Sequence, residues 1–158
     1  MFIVRKPADK ISRPQYSPQD FKKIRGSCVA TTISQANRIV GRIYEEAFRD
    51  VGISSPQFAL LVALVIKPDA TAGELATELS ADPSTVSRNT ELLIKRGLIS
   101  PVPCSADKRV RRYCLSEEGH ATVQSCVPMW KHAQRTALKK IGRGSWQDVL
   151  HALRRLAL

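Results

Sequence analysis

The sequence predicts a mainly α-helical fold with a small β-hairpin wing, a winged helix-turn-helix domain set between N- and C-terminal long helices. Three observations predict it. Residues 71–96 hold two short helix signatures joined by a tight turn. Residues 98–115 hold two short apolar strands separated by a cation-rich turn. The stretches on either side, 20–50 and 116–141, carry apolar residues at helical spacing over many turns.

Met1 to Ser17 contains Pro7 and Pro14, with Pro18 just after, and reads as an extended basic arm. From Asp20 or Ser27 to Asp50 the pattern predicts one long helix. Val29, Ile33, Ala36, Val40, Ile43 and Ala47 recur at alternating steps of four and three, and Ile39, Tyr44 and Phe48 widen the stripe. A seam this long needs another long helix to cover it. Gly52 ends the helix, and Ser55-Pro56 caps and starts the next, with Pro56 at the first helical position. Phe58 to Ile66 is apolar on nearly every side and so belongs at the centre, and Lys67-Pro68-Asp69 breaks it.

Thr71-Ala72-Gly73-Glu74 has the form of a capping box and opens a short helix with Leu75, Ala76 and Leu79 on one face. After a turn at Ser80-Ala81, Asp82-Pro83 starts a second helix with a cap residue and a first-position proline. Its inward stripe is Val86, Thr90, Leu93 and Ile94. Gly97 closes it, Leu98-Ile99 opens a strand, and Val110, Tyr113 and Leu115 mark the strand's return. Ser116-Glu117-Glu118 starts a long helix with its acids in the first turn, carrying Val123, Val127, Trp130, Ala137 and Ile141, with Pro128 inside it. Gly142 and Gly144 end that helix, and Ser145 to Asp148 begins a last amphipathic one.

Twenty-five Lys and Arg against fourteen Asp and Glu leave 158 residues with a net charge of +11. The cations gather in three places, Met1–Arg25, Ser84–Arg112 and Lys131–Leu158, while Gly26–Pro83 is acidic on balance. Such clustering points to a polyanionic partner rather than to an evenly solvated surface. In the second helix of the helix-turn-helix, Ser84, Thr85, Ser87, Arg88 and Asn89 stand near the N-terminal end, the end a recognition helix presents to the major groove. Arg88 suits a guanine edge and Asn89 an adenine edge, and the hydroxyls suit phosphates or bases. On the hairpin, Lys108, Arg109, Arg111 and Arg112 crowd together in a way that calls for an anion, and insertion into the minor groove supplies one. Asp107 stands two residues before Arg109, where its carboxylate can hold the guanidinium.

Other chemistry finds little support. There is no H-E-x-x-H, no glycine-rich phosphate loop, no nucleophile elbow and no pair of carboxylates in a plausible cleft, so neither an enzyme nor a bound cofactor is expected. Cys28, Cys104, Cys114 and Cys126 form no metal-ligand spacing and read as reduced, small apolar residues, with no metal expected. No apolar run reaches membrane-span length, and the N-terminus lacks a signal-peptide core, which predicts a cytoplasmic protein without a membrane partner.

The wording of Ser84 to Gly119 resembles the MarR family of bacterial winged-helix transcription regulators. The matching text is S-T-V-S-R-N, K-R-G-L-I, D-K-R in the wing and L-S-E-E-G after it, with G-I-S-S-P-Q-F resembling the opening of the family's second helix. The likeness extends from about Cys28 to the C-terminus. It implies a homodimer on double-stranded DNA, bound at a palindromic operator, probing successive major grooves roughly 34 Å apart. It implies that Arg109 is the minor-groove arginine of the wing and Asp107 its orienting partner. It also divides the chain into a basic arm (1–19), an N-terminal dimerisation helix (20–54), a winged helix-turn-helix (55–115) and C-terminal dimerisation helices (116–158).

Many members of the family are repressors released by a small phenolic or aromatic acid. Arg38, Arg42, Tyr44, Phe58 and Trp130 lie on suitable helices for such an effector, though Phe58 and Trp130 as plain core, and the arginines as surface or inter-subunit ion pairs, are the simpler account. Relatives of the OhrR type sense peroxide through a cysteine in the first helix. Cys28 lies near that region but out of register from Gly52, and Ser55 and Phe58 stand where tyrosines would be wanted. Thiol-based sensing, and a non-specific nucleic-acid-binding module, stay open beside the sequence-specific repressor.

Overall fold

The computed structural model describes residues 16–102 and 111–157. Contacts divide the chain into two compact units, one up to Arg38 and one from Ile39 onward. In chain order the elements are α1 (Pro18–Ser27), α2 (Val29–Ala47), a 3-10 turn (Arg49–Val51), α3 (Ser55–Ile66), β1 (Ala70–Thr71), α4 (Ala72–Glu78) and α5 (Pro83–Lys95). They continue with β2 (Ile99–Val102), β3 (Arg112–Leu115), α6 (Glu117–Ile141), a second 3-10 turn (Arg143–Ser145) and α7 (Trp146–Ala157).

The expected single helix from Asp20 or Ser27 to Asp50 is two helices. Ser17 and Asp20 form a reciprocal capping box, so α1 starts at Pro18, inside the stretch expected to be an extended arm. It ends at Cys28, whose backbone is extended and whose N–H donates to the Ile24 carbonyl. Gly26 and Ser27 are weak helix formers at that point, and α2 begins afresh one residue later. Phe21, Ile24, Val29 and Ile33 are left exposed.

The second unit holds the core. Phe48, Leu60, Leu61, Leu64, Leu75, Leu93, Ile99 and Cys126 are almost wholly buried, drawn from α3, α4, α5, β2, α6 and the residue after α2. Phe48 and Phe58 pack with ring centroids 4.7 Å apart. As the apolar run 58–66 requires, α3 is the central helix. Its cap is Ser54 rather than Ser55: the Ser54 hydroxyl accepts from the Gln57 N–H while the Gln57 side chain accepts from the Ser54 N–H at 3.0 Å. That reciprocal pair puts Pro56 at the second helical position, where its missing N–H costs nothing.

The hairpin is part of a three-stranded antiparallel sheet ordered β1-β3-β2. The sequence reading had only two strands. Ala70 and Thr71 pair with Tyr113 and Arg112, so the third strand is created by a partner some forty residues away. At the other edge Ile99 faces Leu115 and Val102 faces Arg112. Long helix α6 follows from a Ser116 cap and keeps Pro128 within it. Its buried residues are Gly119, Val123, Cys126, Ala133 and Ala137, whereas Val127 and Trp130, expected on the seam, are more exposed. A 3-10 turn precedes α7, which starts at Trp146 and leaves Leu153 and Leu156 exposed.

Candidate nucleic-acid interface and ligand cavity

Helix α5 is presented by its cap and its inner stripe. Asp82 accepts from the Ser84 and Thr85 N–H groups at 2.8 and 3.1 Å, and from the Ser84 hydroxyl at 2.5 Å. These bonds, the Ser84 hydroxyl first, hold the Asp82 carboxyl below the ordinary aspartate range, and the Arg88 charge adds to the effect. Val86, Thr90 and Leu93 are buried, which turns Ser84, Ser87 and Arg88 to solvent on the opposite side. The helix ends against Gly97, whose positive φ of 72° suits glycine.

The sequence-nominated residues therefore divide. Thr85, Ser87 and Arg88 are exposed. Ser84 is also exposed, with its hydroxyl proton engaged by Asp82. Asn89 is half-buried, and its amide donates to the Thr85 carbonyl at 3.0 Å, so only part of its hydrogen-bonding capacity is free for a base edge. Arg111 is exposed beside β3. Asp107, Lys108 and Arg109 lie outside the described residues.

Arg96, not nominated as a contact, and Arg112, expected among the hairpin cations that call for an anion, instead tie the domain together. The Arg96 guanidinium, just past α5, donates to the Gly52 and Val51 carbonyls at 2.6 and 3.0 Å, joining the end of α5 to the turn that follows α2. The Arg112 guanidinium donates to the Asp69 carbonyl at 2.7 Å and lies 3.7 Å from the Glu74 carboxylate. Glu74 accepts from the Thr71 N–H and pairs with Lys67 at 3.1 Å, and these partners pull its carboxyl down to about 2. Arg112 thus anchors the root of the wing to the start of α4 instead of facing a ligand.

Where the wing meets α6, the backbone passes very close. A Cβ on Gly119 would come 2.1 Å from the Leu98 carbonyl oxygen, while Ser116 donates to the carbonyls of Leu98 and Gly97, the former through its N–H at 3.1 Å and the latter through its hydroxyl at 2.6 Å. The L-S-E-E-G text at 115–119 is the chemical form of this joint.

Of the residues nominated for an effector, Tyr44, Phe58 and Trp130 line one cavity of about 410 Å³ together with Val62, Leu79 and Glu78. The Tyr44 hydroxyl donates to the Gln134 side-chain oxygen, and burial raises the phenol's pKa, keeping it neutral. Arg42 instead lines a separate open groove of about 640 Å³ with Ile39, Glu46, His132 and Lys140. Arg38 is exposed and belongs to the first unit. Cys28 belongs to that same unit, and the Thr31 hydroxyl and N–H near its sulfur lower its thiol pKa. Cys126 is buried, and burial raises its own. Among the described residues no group of three His, Cys, Asp or Glu side chains gathers as a metal site, and no helix is long and apolar enough to cross a membrane.

Residues 51–110 match the model of the MarR family. Among solved structures, a transcriptional regulator of Mycobacterium tuberculosis, MosR, in complex with DNA, superposes with a TM-score of 0.73 at 28% identity, covering 82% of this chain and 93% of that one. BpsR of Bordetella bronchiseptica, whose DNA binding is regulated by 6-hydroxynicotinic acid, superposes with a TM-score of 0.77 at 20% identity over 84% and 94%. A mutant MarR of Escherichia coli complexed with operator DNA gives 0.77 at 20% over 84% and 96%. No curated protein sequence matches the chain.

Proposed function

We propose that this chain, whose winged helix is that of the MarR family, is a sequence-specific DNA-binding transcriptional repressor acting as a homodimer and released by a small aromatic effector. The observation that carries the reading is α5: a capped helix with a buried inner stripe and with Thr85, Ser87 and Arg88 exposed near its N-terminal end. In this reading Arg88 reads a base edge, Ser84, Thr85, Ser87 and Asn89 contact phosphates or bases, and Arg111 with Lys108 and Arg109 grips the minor groove, Asp107 steadying Arg109. Exposed apolar residues on α1, α2 and α7, such as Phe21 at 55% and Leu156 at 66% exposure, are the surface a second copy would cover. The DNA complexes of MosR and MarR support the reading by similarity.

A gel-shift or fluorescence-anisotropy titration tests it. A duplex holding the palindrome upstream of the gene should bind far more tightly than its scrambled counterpart at about 150 mM salt. Equal binding to both would reduce the protein to a non-specific nucleic-acid module.

One observation favours a second, thiol-based reading. Cys28 sits at the break between α1 and α2 with a lowered thiol pKa. If it senses peroxide, wild-type protein loses operator affinity on peroxide treatment while Cys28→Ser does not; identical responses exclude it.

A further inference from the structure

The cavity at Tyr44, Phe58 and Trp130 has an unusual charge balance for a site expected to take an aromatic acid. That expectation drew on Arg38 and Arg42, and neither lines it. Among the described residues no Lys, Arg or His borders the cavity, and its one ionisable group besides the neutral Tyr44 is Glu78. Arg42, His132 and Lys140 border the separate groove.

Apart from the Trp130 indole N–H, the polar side chains that remain offer lone pairs. Glu78 is exposed, and its carboxylate enters none of the ion pairs among the described residues, in contrast to Glu46 and Glu74. It occupies the last turn of α4. The Tyr44 hydroxyl spends its proton on Gln134, so it meets a ligand as an acceptor. Only Ser55 can either donate or accept. The apolar wall is largely aliphatic, but Phe58 and Trp130 belong to it, and Trp130, at 39% exposure, presents ring surface to whatever enters.

A carboxylate entering here would lose its hydration, find no cation and face Glu78. An ammonium attached to an aromatic body gains on each count: an ion pair with Glu78, acceptors at Tyr44 and Ser55, and the faces of aromatic rings. We infer that this cavity selects a cationic aromatic amine over the corresponding aromatic acid. The inference rests on the effector reading of the cavity and specifies the chemical class of that effector.

Three indole probes of matched shape separate the possibilities: tryptamine, tryptophol and indole-3-propionate, titrated calorimetrically into the full chain. Tryptamine should bind about tenfold or more tighter than indole-3-propionate, the order expected of one ion pair with cation–π support. Tryptophol should fall between them. Glu78→Gln should erase the advantage of tryptamine while leaving tryptophol binding unchanged, and Trp130→Ala should weaken all three. Preference for indole-3-propionate, or an amine preference that survives Glu78→Gln, overturns the charge assignment while leaving the cavity as a ligand site. Failure of all three to bind, or binding indifferent to Trp130→Ala, overturns the cavity reading and the amine assignment together.

Discussion

Arg88 and Thr90 lie two residues apart on one helix and face opposite ways, and their substitutions should separate DNA reading from folding. Arg88 is exposed and makes no side-chain hydrogen bond among the described residues, so Arg88→Ala should leave thermal stability unchanged. Operator affinity should fall by about 1 to 3 kcal/mol with relaxed base preference in a binding-site selection. Lys108→Ala should weaken all duplexes alike and reduce the salt slope by about one unit. Thr90 is the opposite case, 1% exposed with a hydroxyl that finds no partner among the described residues. Thr90→Val keeps the shape and removes the unsatisfied group, so denaturant unfolding should show a gain of about 1 kcal/mol. Gly119→Ala would press a methyl into the Leu98 carbonyl and should lower stability by about 2 kcal/mol or more, as the joint between wing and α6 is forced apart.

At the scale of elements, caps and carbonyl contacts set where the helices of the winged helix begin and how they join, around the apolar core. The start of α4 depends on the ionised Glu74, whose carboxyl is depressed to about 2 by the Thr71 N–H, Lys67 and the Thr71 hydroxyl. A depressed carboxyl contributes stability that is present above its ordinary value of 4.5 and lost as pH falls through about 2. The stability gap between wild type and Glu74→Gln, measured by urea unfolding, should therefore be widest near neutrality and close steadily between those two pH values. These caps were also what made the helices legible beforehand: Thr71 with Glu74, Asp82 with Pro83, and Ser116 before its acids are local signals. The illegible parts depend on distant partners. Strand β1 exists because Ala70 and Thr71 meet Tyr113 and Arg112. The division of α1 from α2 turns on weak propensity at Gly26 and Ser27 against a seam that reads as continuous. Periodicity placed Arg42 and Tyr44 on one helix without saying that one faces the groove and the other the cavity. Asn89 looked free because its bond to the Thr85 carbonyl competes with base reading only once the helix is formed.

For the whole molecule, the proposed dimer makes the exposed apolar residues of α1 and α2 testable as a set. Ile24→Glu combined with Ile33→Glu places charge on this surface without touching the second unit's core. Sedimentation should then report a monomer, with the palindromic duplex bound more weakly by far than by wild type and a single half-site bound about equally. A variant that stays dimeric would remove this face from the proposed interface.

The two bonds from Arg96 to the carbonyls of Val51 and Gly52 fasten the end of α5 to the turn leading out of α2, the helix that carries Tyr44. A fastening of this kind has no preferred direction. If a ligand at Tyr44 weakens the hold on an operator through it, the operator must weaken the hold on that ligand by the same factor. At a fixed dose the ligand would then occupy a smaller fraction of the protein when operator is in excess, so the ligand's apparent affinity, titrated with and without saturating operator duplex, should differ by that same factor.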